Sequence, residues 1–347
     1  MRFAYVVLLA AACRPPGPAT TTSAPAVPGV GCPNAKDVYM ASFLTPGEGG
    51  KGHTGWVLPL FDAKVDSAKG MPEFAEVTAQ AAQAAGAPAA PPNIWLMLPN
   101  QAPCRASLGS YFAVATDGAA PNVTYGVELG GCTPPPVAEQ QDAEAIALVS
   151  TEPPNECTVL APQPVAQRLG EMDKDHHWER PKEETPVPPP VAAAIPGHSC
   201  AQPDCETLWS IAQVAGTDNK PIAWAGAVNW ITVGDAKADQ QCSLPTQSFS
   251  GIFLPSADGT KATKLESGMD HPLALSSVLT DKTGPKTLIA EGPGEYTTYD
   301  LAAPAPAVAH HLVWLTLDPA AYTVDDHLGP DCPPPGAAPA DPYAPKR

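Results

Sequence analysis

Proline is the residue that most restricts how this chain can fold. The 347-residue sequence contains 45 prolines, and they occur along its whole length. A proline inside a helix removes a hydrogen-bond donor and clashes with the preceding turn, so few long helices are expected. Short runs rich in β-branched and aromatic residues, bounded by Gly, Pro and Asp, instead predict strands. These runs are 56–61, 94–98, 111–115, 123–129, 145–149, 208–214, 222–233, 250–254, 287–290, 296–301 and 311–317.

Two local patterns add detail to this strand-rich prediction. Residues 217–221 (TDNKP) are typical of a hairpin connection between the runs 208–214 and 222–233. One helix is predicted after Pro72, which suits a first-turn position, and Gly86 would end it. Its apolar face would consist of Phe74, Val77, Ala81 and Ala85.

Segments without bulky apolar residues divide the chain. We predict a mainly β fold with two tandem antiparallel β-sandwich or barrel-like domains and few short helices. The predicted order is a signal peptide (1–12), a tether rich in Pro, Ala and Thr (13–32), β domain 1 (33–170), a Pro-rich charged linker (171–197), β domain 2 (198–332) and a disordered tail (333–347).

An internal recurrence suggests that the two predicted domains are related to each other. Cys104 and Cys242 lie 138 residues apart, with similar apolar runs before and after each. Asp-Gly turns at 117 and 258 are offset by 141 residues, and Glu-Pro motifs at 152 and 291 by 139. The alternative is that short apolar strands and Asp-Gly turns recur in any all-β chain.

The first thirteen residues have the layout of an export signal. Met1 and Arg2 give a positive start, residues 3–12 are apolar or small, and Cys13 is followed at once by RPPGP. This apolar run is too short for a membrane-spanning helix, which needs roughly 20 such residues. The segment AAAC at 10–13 places small residues at a peptidase site.

This segment resembles the signal of a bacterial lipoprotein. The resemblance implies that Cys13 becomes the acylated first residue of the mature chain, although the Leu usual three places earlier is Ala10 here. Because Arg14 stands where Asp would favour inner-membrane retention, the resemblance implies outer-membrane attachment in a diderm source. Cleavage near Ala12 without lipidation is the alternative, and it would leave a secreted or periplasmic soluble protein.

The cysteine count agrees with this interpretation. Of nine cysteines, eight remain if Cys13 carries lipid, and an even number is compatible with four disulfides in an oxidising compartment. The candidates are Cys32, Cys104, Cys132, Cys157, Cys200, Cys205, Cys242 and Cys332.

Charge narrows the class of partner. The chain has 36 acidic and 19 basic residues, a net charge of −17. Nucleic acid is therefore not expected as a partner, because phosphate contacts need clustered Lys and Arg. Adhesion to anionic lipid is equally disfavoured, so the membrane would be reached through the N-terminal lipid. An envelope protein or glycan is the kind of partner that we expect.

No set of residues predicts catalysis, a metal site or a cofactor. The acidic and His-containing stretch 171–179 lies at a Pro-rich linker and is interpreted as solvated. Cys200 and Cys205 are spaced for a structural loop rather than a redox pair. The pairs Glu152/Glu156 and Glu291/Glu295 resemble in composition the two catalytic carboxylates of a glycosidase. Their Pro-Gly context favours the other interpretation, in which they belong to turns.

The sequence therefore predicts a lipid-anchored cell-envelope protein that acts by binding or structural contact. Trp56 and Trp178 are considered as exposed contact points, and of His310 and His311 one is expected to face solvent and the other to be a satisfied edge residue. The alternative is a secreted or envelope hydrolase whose site is assembled only in three dimensions, since such sites are recognised by geometry rather than order.

Overall fold

Most of the described chain forms β-strands, and all their pairings are antiparallel. The computed structural model describes residues 30–45, 54–66, 74–98, 101–116, 122–136, 143–168, 171–172, 178–179, 184–195, 205–232, 247–265, 274–292, 295–303 and 305–313. The strands build three larger sheets, called A, B and C here, none of which closes into a barrel among these residues. The predicted mainly β, sandwich-like fold is confirmed.

Sheet A contains the first eight strands. They are β1 (Val38–Leu44), β2 (Gly55–Lys64), β3 (Phe74–Val77), β4 (Ile94–Met97), β5 (Cys104–Arg105), β6 (Ser107–Thr116), β7 (Asn122–Gly130) and β8 (Glu144–Val149), in the spatial order β3-β6-β7-β2-β1-β8-β4-β5. A 3-10 turn, Ala35–Asp37, precedes β1.

Sheet A is strongly curled, as the short connection between two of its distant strands shows. Ala106 alone joins β5 to β6, yet these strands lie six positions apart in the sheet. In a flat sheet six positions would span about 29 Å. The curl encloses an apolar core that includes Phe43, Trp56, Leu58, Ile94, Leu96 and Val127. A disulfide between Cys104 and Cys132 fastens β5 to the end of β7.

Sheets B and C contain the later strands. Sheet B consists of β9 (Thr158–Leu160), β17 (Ala274–Asp281), β18 (Gly284–Gly292), β19 (Glu295–Asp300) and β20 (Ala307–Val313), in the order β20-β19-β18-β17-β9. Sheet C consists of β10 (Gln163–Arg168), β13 (Cys205–Ala215), β14 (Pro221–Thr232), β15 (Gln247–Pro255) and β16 (Ala262–Lys264), in that order. A two-stranded ribbon pairs β11 (Glu171–Met172) with β12 (Trp178–Glu179).

Sheet B is the middle layer, because both of its faces are covered. Alternate residues of a strand point to opposite faces. One face, which includes Leu279, Ile289, Tyr296 and Leu312, packs on Val38, Met40, Ile146 and Leu148 of sheet A. The other face, which includes Leu275, Val278, Leu288 and Tyr299, packs on Val214, Ala223 and Ile252 of sheet C. The molecule thus has an A–B interface and a B–C interface.

Two strands join the halves that the sequence separates at residue 170. β9 pairs with β17, and β10 pairs with β13, so both precede the predicted linker but belong to sheets B and C. The strands that the internal offset matches also lie in different places. β14 and β15 are direct neighbours, whereas β4 and β6 are separated by four strands of sheet A.

The predicted helix is wrong over its first half. The observed helix α1 covers only Ala79–Ala84, with the Thr78 hydroxyl accepting from the Ala81 N–H at 3.1 Å. Phe74 to Val77 instead form β3, and the Phe74 ring stacks on Phe112 of β6 with centroids 5.3 Å apart. A partner distant in sequence decides the conformation of this segment. Gly86, with φ of 107°, lies beyond the helix end as predicted.

Part of the Pro-rich linker is folded onto sheet C rather than forming an unstructured connector. Helix α2 (Pro189–Ala194) places the fully buried Val191 against Ile211, Trp224 and Phe253. The Trp209 indole N–H donates to the Thr185 carbonyl at 2.9 Å. Apolar residues spaced between the prolines therefore cover the outer face of sheet C. The predicted hairpin between β13 and β14 is confirmed, with Asn219 at φ of 60° in its turn.

Candidate functional site: a cleft between sheets B and C

A cleft of about 440 Å³ opens where sheets B and C separate at one end. The described residues that line it come from β13, β14 and β15 of sheet C and from the start of β17 of sheet B. They are Ser210, Ala212, Ala225, Gly226, Ala227, Ser250, Ala274 and Leu275. Its volume lies in the range of about 300–1,000 Å³ that is usual for small-molecule sites.

The alternation of side chains along sheet C explains why the space is not filled. On the face toward sheet B, Val214, Ala223 and Ile252 contribute to the packed core. Further along the strands, four residues from Val214 and Ala223 and two from Ile252, the cross-strand row consists of the small residues Ser210, Ala227 and Ser250. Packed sheets lie about 10 Å apart, a distance that side chains of this size cannot bridge. The cleft is therefore built into the sequence of three strands.

The cleft lining has little polar chemistry. Among the described lining residues, only Ser210 and Ser250 bring side-chain polar groups, and each hydroxyl can donate or accept one or more hydrogen bonds. None of these residues has an ionisable side chain. The arrangement can hold an uncharged group by contact and orient it through two hydroxyls, but these eight residues supply no general acid or base.

The A–B interface, by contrast, contains polar contacts and ionisable groups. The fully buried Tyr296 donates its hydroxyl hydrogen to Glu144 of sheet A at 2.5 Å. The Thr298 hydroxyl donates to the Ala35 carbonyl at 3.1 Å. Glu291 is the cross-strand neighbour of Tyr296, and burial raises the pKa of its carboxyl above the usual value. The hydrogen bonds of Tyr296 and Thr298 hold the two sheets in register.

His310 and Tyr39 form another contact across the A–B interface. Their ring centroids lie 4.9 Å apart with the planes at 87°. Burial, followed by the neighbouring His311, lowers the pKa of His310, while Asp37 opposes that change. Burial and then Asp37 raise the pKa of the Tyr39 hydroxyl. The expectation of a satisfied histidine is wrong for His310, because its buried Nδ1 has no hydrogen-bond partner among the described residues.

The predicted carboxylate pairs do not form a facing pair within the described residues. Glu152 is exposed in a loop, and Glu156 binds Lys282 at 3.0 Å. This loop is held by turn hydrogen bonds, such as the Cys157 N–H donating to the Pro154 carbonyl. Glu291 lies on β18, whereas the side chain of Glu295 lies outside the described set. Glu152 and Glu156 thus occupy the turn that their sequence context predicts.

Within the described part of the chain, the candidate cysteines form two disulfides. Cys32 pairs with Cys157, and Cys104 pairs with Cys132. Cys205 begins β13, but its side chain is not described. Cys200, Cys242 and Cys332 lie outside the described residues, as does the predicted lipid attachment site, Cys13.

The remaining predicted positions give a mixed result. Trp56 is wrong as an exposed contact point, because it is buried in the core of sheet A and donates its indole N–H to the Thr133 carbonyl. Trp178 has a described backbone only, in β12, and His176 and His177 lie outside the described residues. Within the described residues, no three His, Cys, Asp or Glu side chains lie close enough together to hold a metal ion.

The sequence search missed the cleft residues, although a signal for them exists. Small residues recur at the alternate positions that face sheet B, which are Ser210 and Ala212 in β13 and Ala225 and Ala227 in β14. Such alternation on the inner face of a sandwich indicates unfilled space only when the opposite sheet is known.

The helices of the described part are too short to cross a membrane. Comparisons with family models, curated proteins and solved structures find no match to this chain.

Proposed function

We propose that this chain is an exported, lipid-anchored protein of the cell envelope that acts by binding or by structural contact. The observation that carries the proposal is the N-terminal sequence, in which a short apolar run ends in AAAC at 10–13 and a Pro-rich tether follows. Acylation of Cys13 would fix the chain to a membrane. In a diderm source the expected location is the outer membrane.

The two disulfides support export. Disulfides persist in oxidising compartments and are rare in the reducing cytosol. Cys32–Cys157 lies where the tether meets the folded part of the chain. Val30 is held there by two backbone hydrogen bonds, in which its N–H donates to the Pro153 carbonyl and its carbonyl accepts from the Glu156 N–H.

The position of this tether site suggests how an anchored molecule would present its cleft. A Cβ added at Gly31 would lie 2.5 Å from the Asp281 carboxylate, which places the tether beside the end of β17. The same strand begins at Ala274 in the cleft lining. Seven residue steps along a strand span about 24 Å. The cleft therefore opens at the end of sheet B that is distant from the tether, where a partner is accessible to an anchored protein.

The anchoring part of the proposal is tested by intact mass. The full-length gene is expressed in a bacterium that processes lipoproteins, and the mature protein is weighed with and without reduction. The expected product starts at Cys13, carries an acyl mass and fractionates with the outer membrane in a diderm host. The Cys13→Ser variant is expected in the soluble fraction, while a Cys104→Ser control keeps the acyl mass. A soluble wild-type product without acyl mass would overturn the anchoring proposal.

The binding part is tested separately with the mature protein, screened against envelope glycans and envelope proteins. Filling the cleft by Ala227→Trp is expected to abolish binding, whereas Ala302→Trp in an exposed turn leaves it unchanged. Equal binding by both variants would exclude the cleft as the contact site. Turnover of any substrate, abolished by one substitution, would favour the hydrolase alternative and overturn the binding function.

A further inference from the structure

The edge strand β20 is paired irregularly with its neighbour in sheet B. It is the outermost strand of sheet B among the described strands. Its pairing with β19 shifts between Thr298 and Tyr299, so that Ala309 is an extra residue beside His310. Bulges of this kind are common at sheet edges, where they interrupt the hydrogen-bond ladder. β20 therefore depends on side-chain contacts with the neighbouring layer more than a regularly paired strand does.

His310 and His311 are adjacent in sequence but have different environments. The exposed His311 faces away from sheet A, and its Nδ1 lies 3.2 Å from the Thr297 hydroxyl. His310 is half-buried and lies edge-on to Tyr39 of β1. Its Nδ1 is buried without a hydrogen-bond partner among the described residues. A neutral imidazole tolerates that position, because an unpaired acceptor costs less than an unpaired charged donor.

We propose that the contact between Tyr39 and His310 is a pH-sensitive latch, which holds β20 against sheet A while His310 is neutral and releases the strand when His310 is protonated. Protonation would add a positive charge and an N–H donor at Nδ1, where the described residues provide no acceptor. The released strand would expose the adjoining edge of the A–B interface. The latch does not depend on lipid anchoring, so it can fail or hold independently of the proposed function.

The charges around His310 favour release of β20 when this histidine is protonated. The ionisable side chains described on the elements packed against β20 are Lys36 and Asp37 of the 3-10 turn, Tyr39 of β1, Asp62 and Lys64 of β2, and Tyr296, Tyr299 and Asp300 of β19. Asp62 is already bound by the Asn122 amide and the Thr124 hydroxyl, both at 2.6 Å. Among the described groups, His311 and Asp37 act on the pKa of His310 in opposite directions, and burial outweighs the attraction of Asp37, so this pKa is lowered.

The sign of the linkage follows from that lowered pKa. An unfolded or released His310 binds a proton more readily than the latched one, so the latch is strongest above the usual histidine pKa of about 6.5. It weakens as the pH falls through that value toward the lower pKa of the latched state. A mildly acidic medium is thus the condition that opens the contact.

Hydrogen exchange of the full mature protein tests the latch. Exchange of peptides covering 305–313 is measured at pH 7.5 and pH 5.0 and corrected for intrinsic rates. Protection in the wild type is expected to fall about threefold or more at the lower pH. His310→Phe keeps an aromatic ring against Tyr39 and cannot titrate, so its protection should not change with pH. His311→Phe keeps His310 and should still lose protection on acidification, with the loss moved toward higher pH because His311 no longer lowers the pKa of His310.

The proposal is overturned if 305–313 is equally protected at both pH values in the wild type. It is also overturned if His310→Phe loses protection as the wild type does. Should His310→Phe fail to fold, His310→Gln provides the second non-titrating variant. NMR titration of His310 in the wild type gives a direct check, because a pKa at or above the usual histidine value of about 6.5 would contradict the latch.

Discussion

The two faces of sheet B are covered in different ways. The A–B interface combines fully buried apolar residues, such as Leu279 and Ile289, with side-chain hydrogen bonds from Tyr296 and Thr298. The Cys32–Cys157 disulfide lies at its edge, with Cys157 buried in the same core. The B–C interface has an apolar core, but at its far end the side chains shrink to Ala and Ser and the sheets separate around the cleft.

This difference shows how one sheet can carry both a rigid and an adaptable interface. Directional contacts fix the register of sheets A and B, because a hydrogen bond or disulfide has only one suitable geometry. Apolar contacts are non-directional, so the core shared by sheets B and C constrains their relative position less narrowly. A ligand that enters the cleft would add missing volume without breaking any polar contact. Five predictions test this contrast.

Removing the disulfide at the A–B interface should have the largest effect. The Cys32 and Cys157 positions are 125 residues apart, against 28 for Cys104 and Cys132. Loop entropy predicts a loss of about 5 kcal/mol of unfolding free energy for Cys32→Ser with Cys157→Ser, and about 3.5 kcal/mol for the other pair. Urea unfolding under non-reducing conditions measures both. An equal or larger loss for the Cys104 and Cys132 variant would contradict the prediction.

Truncating a leucine on each face of β17 compares the two interfaces directly. Leu279 is fully buried at the A–B interface, whereas Leu275 lines the cleft. Leu279→Ala should cost about 4 kcal/mol, and Leu275→Ala about 2 kcal/mol, because the second site already borders open space. Denaturant midpoints with unchanged slopes would measure the difference. Equal losses would mean that the cleft end is as well packed as the A–B interface.

Enlarging an alanine of β14 tests the packing of sheet C. Ala223 is fully buried in the B–C core, and Ala227 lies in the cleft lining four residues away. Ala223→Val should destabilise the protein by about 2 kcal/mol because a packed core resists added methyl groups. Ala227→Val should change the unfolding free energy by no more than about 0.5 kcal/mol. A large loss for Ala227→Val would argue that the cleft space is needed for folding.

Removing the Tyr296 hydroxyl should weaken the A–B interface while leaving the ring in place. Tyr296→Phe is expected to cost about 1.5 kcal/mol, since hydrogen bonds to charged groups are stronger than neutral ones. Thermal unfolding at neutral pH measures the loss. Tyr125→Phe on β7 of sheet A is the matched control and should change stability by less than about 0.5 kcal/mol. Similar losses of stability for both variants would show that the hydrogen bond between Tyr296 and Glu144 does not stabilise the A–B interface.

Neutralising Glu291 should produce the smallest change, and it should be stabilising. Burial raises the pKa of Glu291 in the folded state, so its contribution to stability is present below the unfolded value of 4.5 and is lost as the pH rises through the folded pKa. Glu291→Gln should therefore stabilise the protein at pH 7 by less than about 1 kcal/mol and have little effect near pH 4. Exposed Glu152→Gln is the control. A lower melting temperature for Glu291→Gln at pH 7 would contradict this sign.

The sequence predicts the strands better than it predicts their partners. Alternation and turn residues located most strands, and TDNKP at 217–221 does connect β13 to β14. The pairing of β9 with β17 joins residues more than 110 positions apart, which no local pattern can indicate. Residues 74–77 fit both periodicities, and Phe112 decides between them. The sequence also predicts an exposed Trp56, but distant strands decide its environment, because the curl of sheet A encloses the side chain.

The cleft could not be predicted from the sequence, because its residues are ordinary small side chains. Ser210 and Ala227 carry no distinctive chemistry, and their importance arises from the space opposite them. His310 was singled out in the sequence, but its unsatisfied Nδ1 depends on β1, 271 residues earlier at Tyr39. The predicted disulfide bonding is confirmed for four of the eight candidate cysteines, and the connectivity of these two pairs became known only from the fold.

The Cys32–Cys157 bond has a consequence for survival among proteases. All eight strands of sheet A, from Val38 to Val149, lie within the covalent ring that this bond closes. A single cut anywhere in that ring leaves both pieces attached to each other and to sheets B and C. Nicking would thus linearise the ring without releasing a fragment. A chain cut once between Cys32 and Cys157 would therefore remain one covalent molecule.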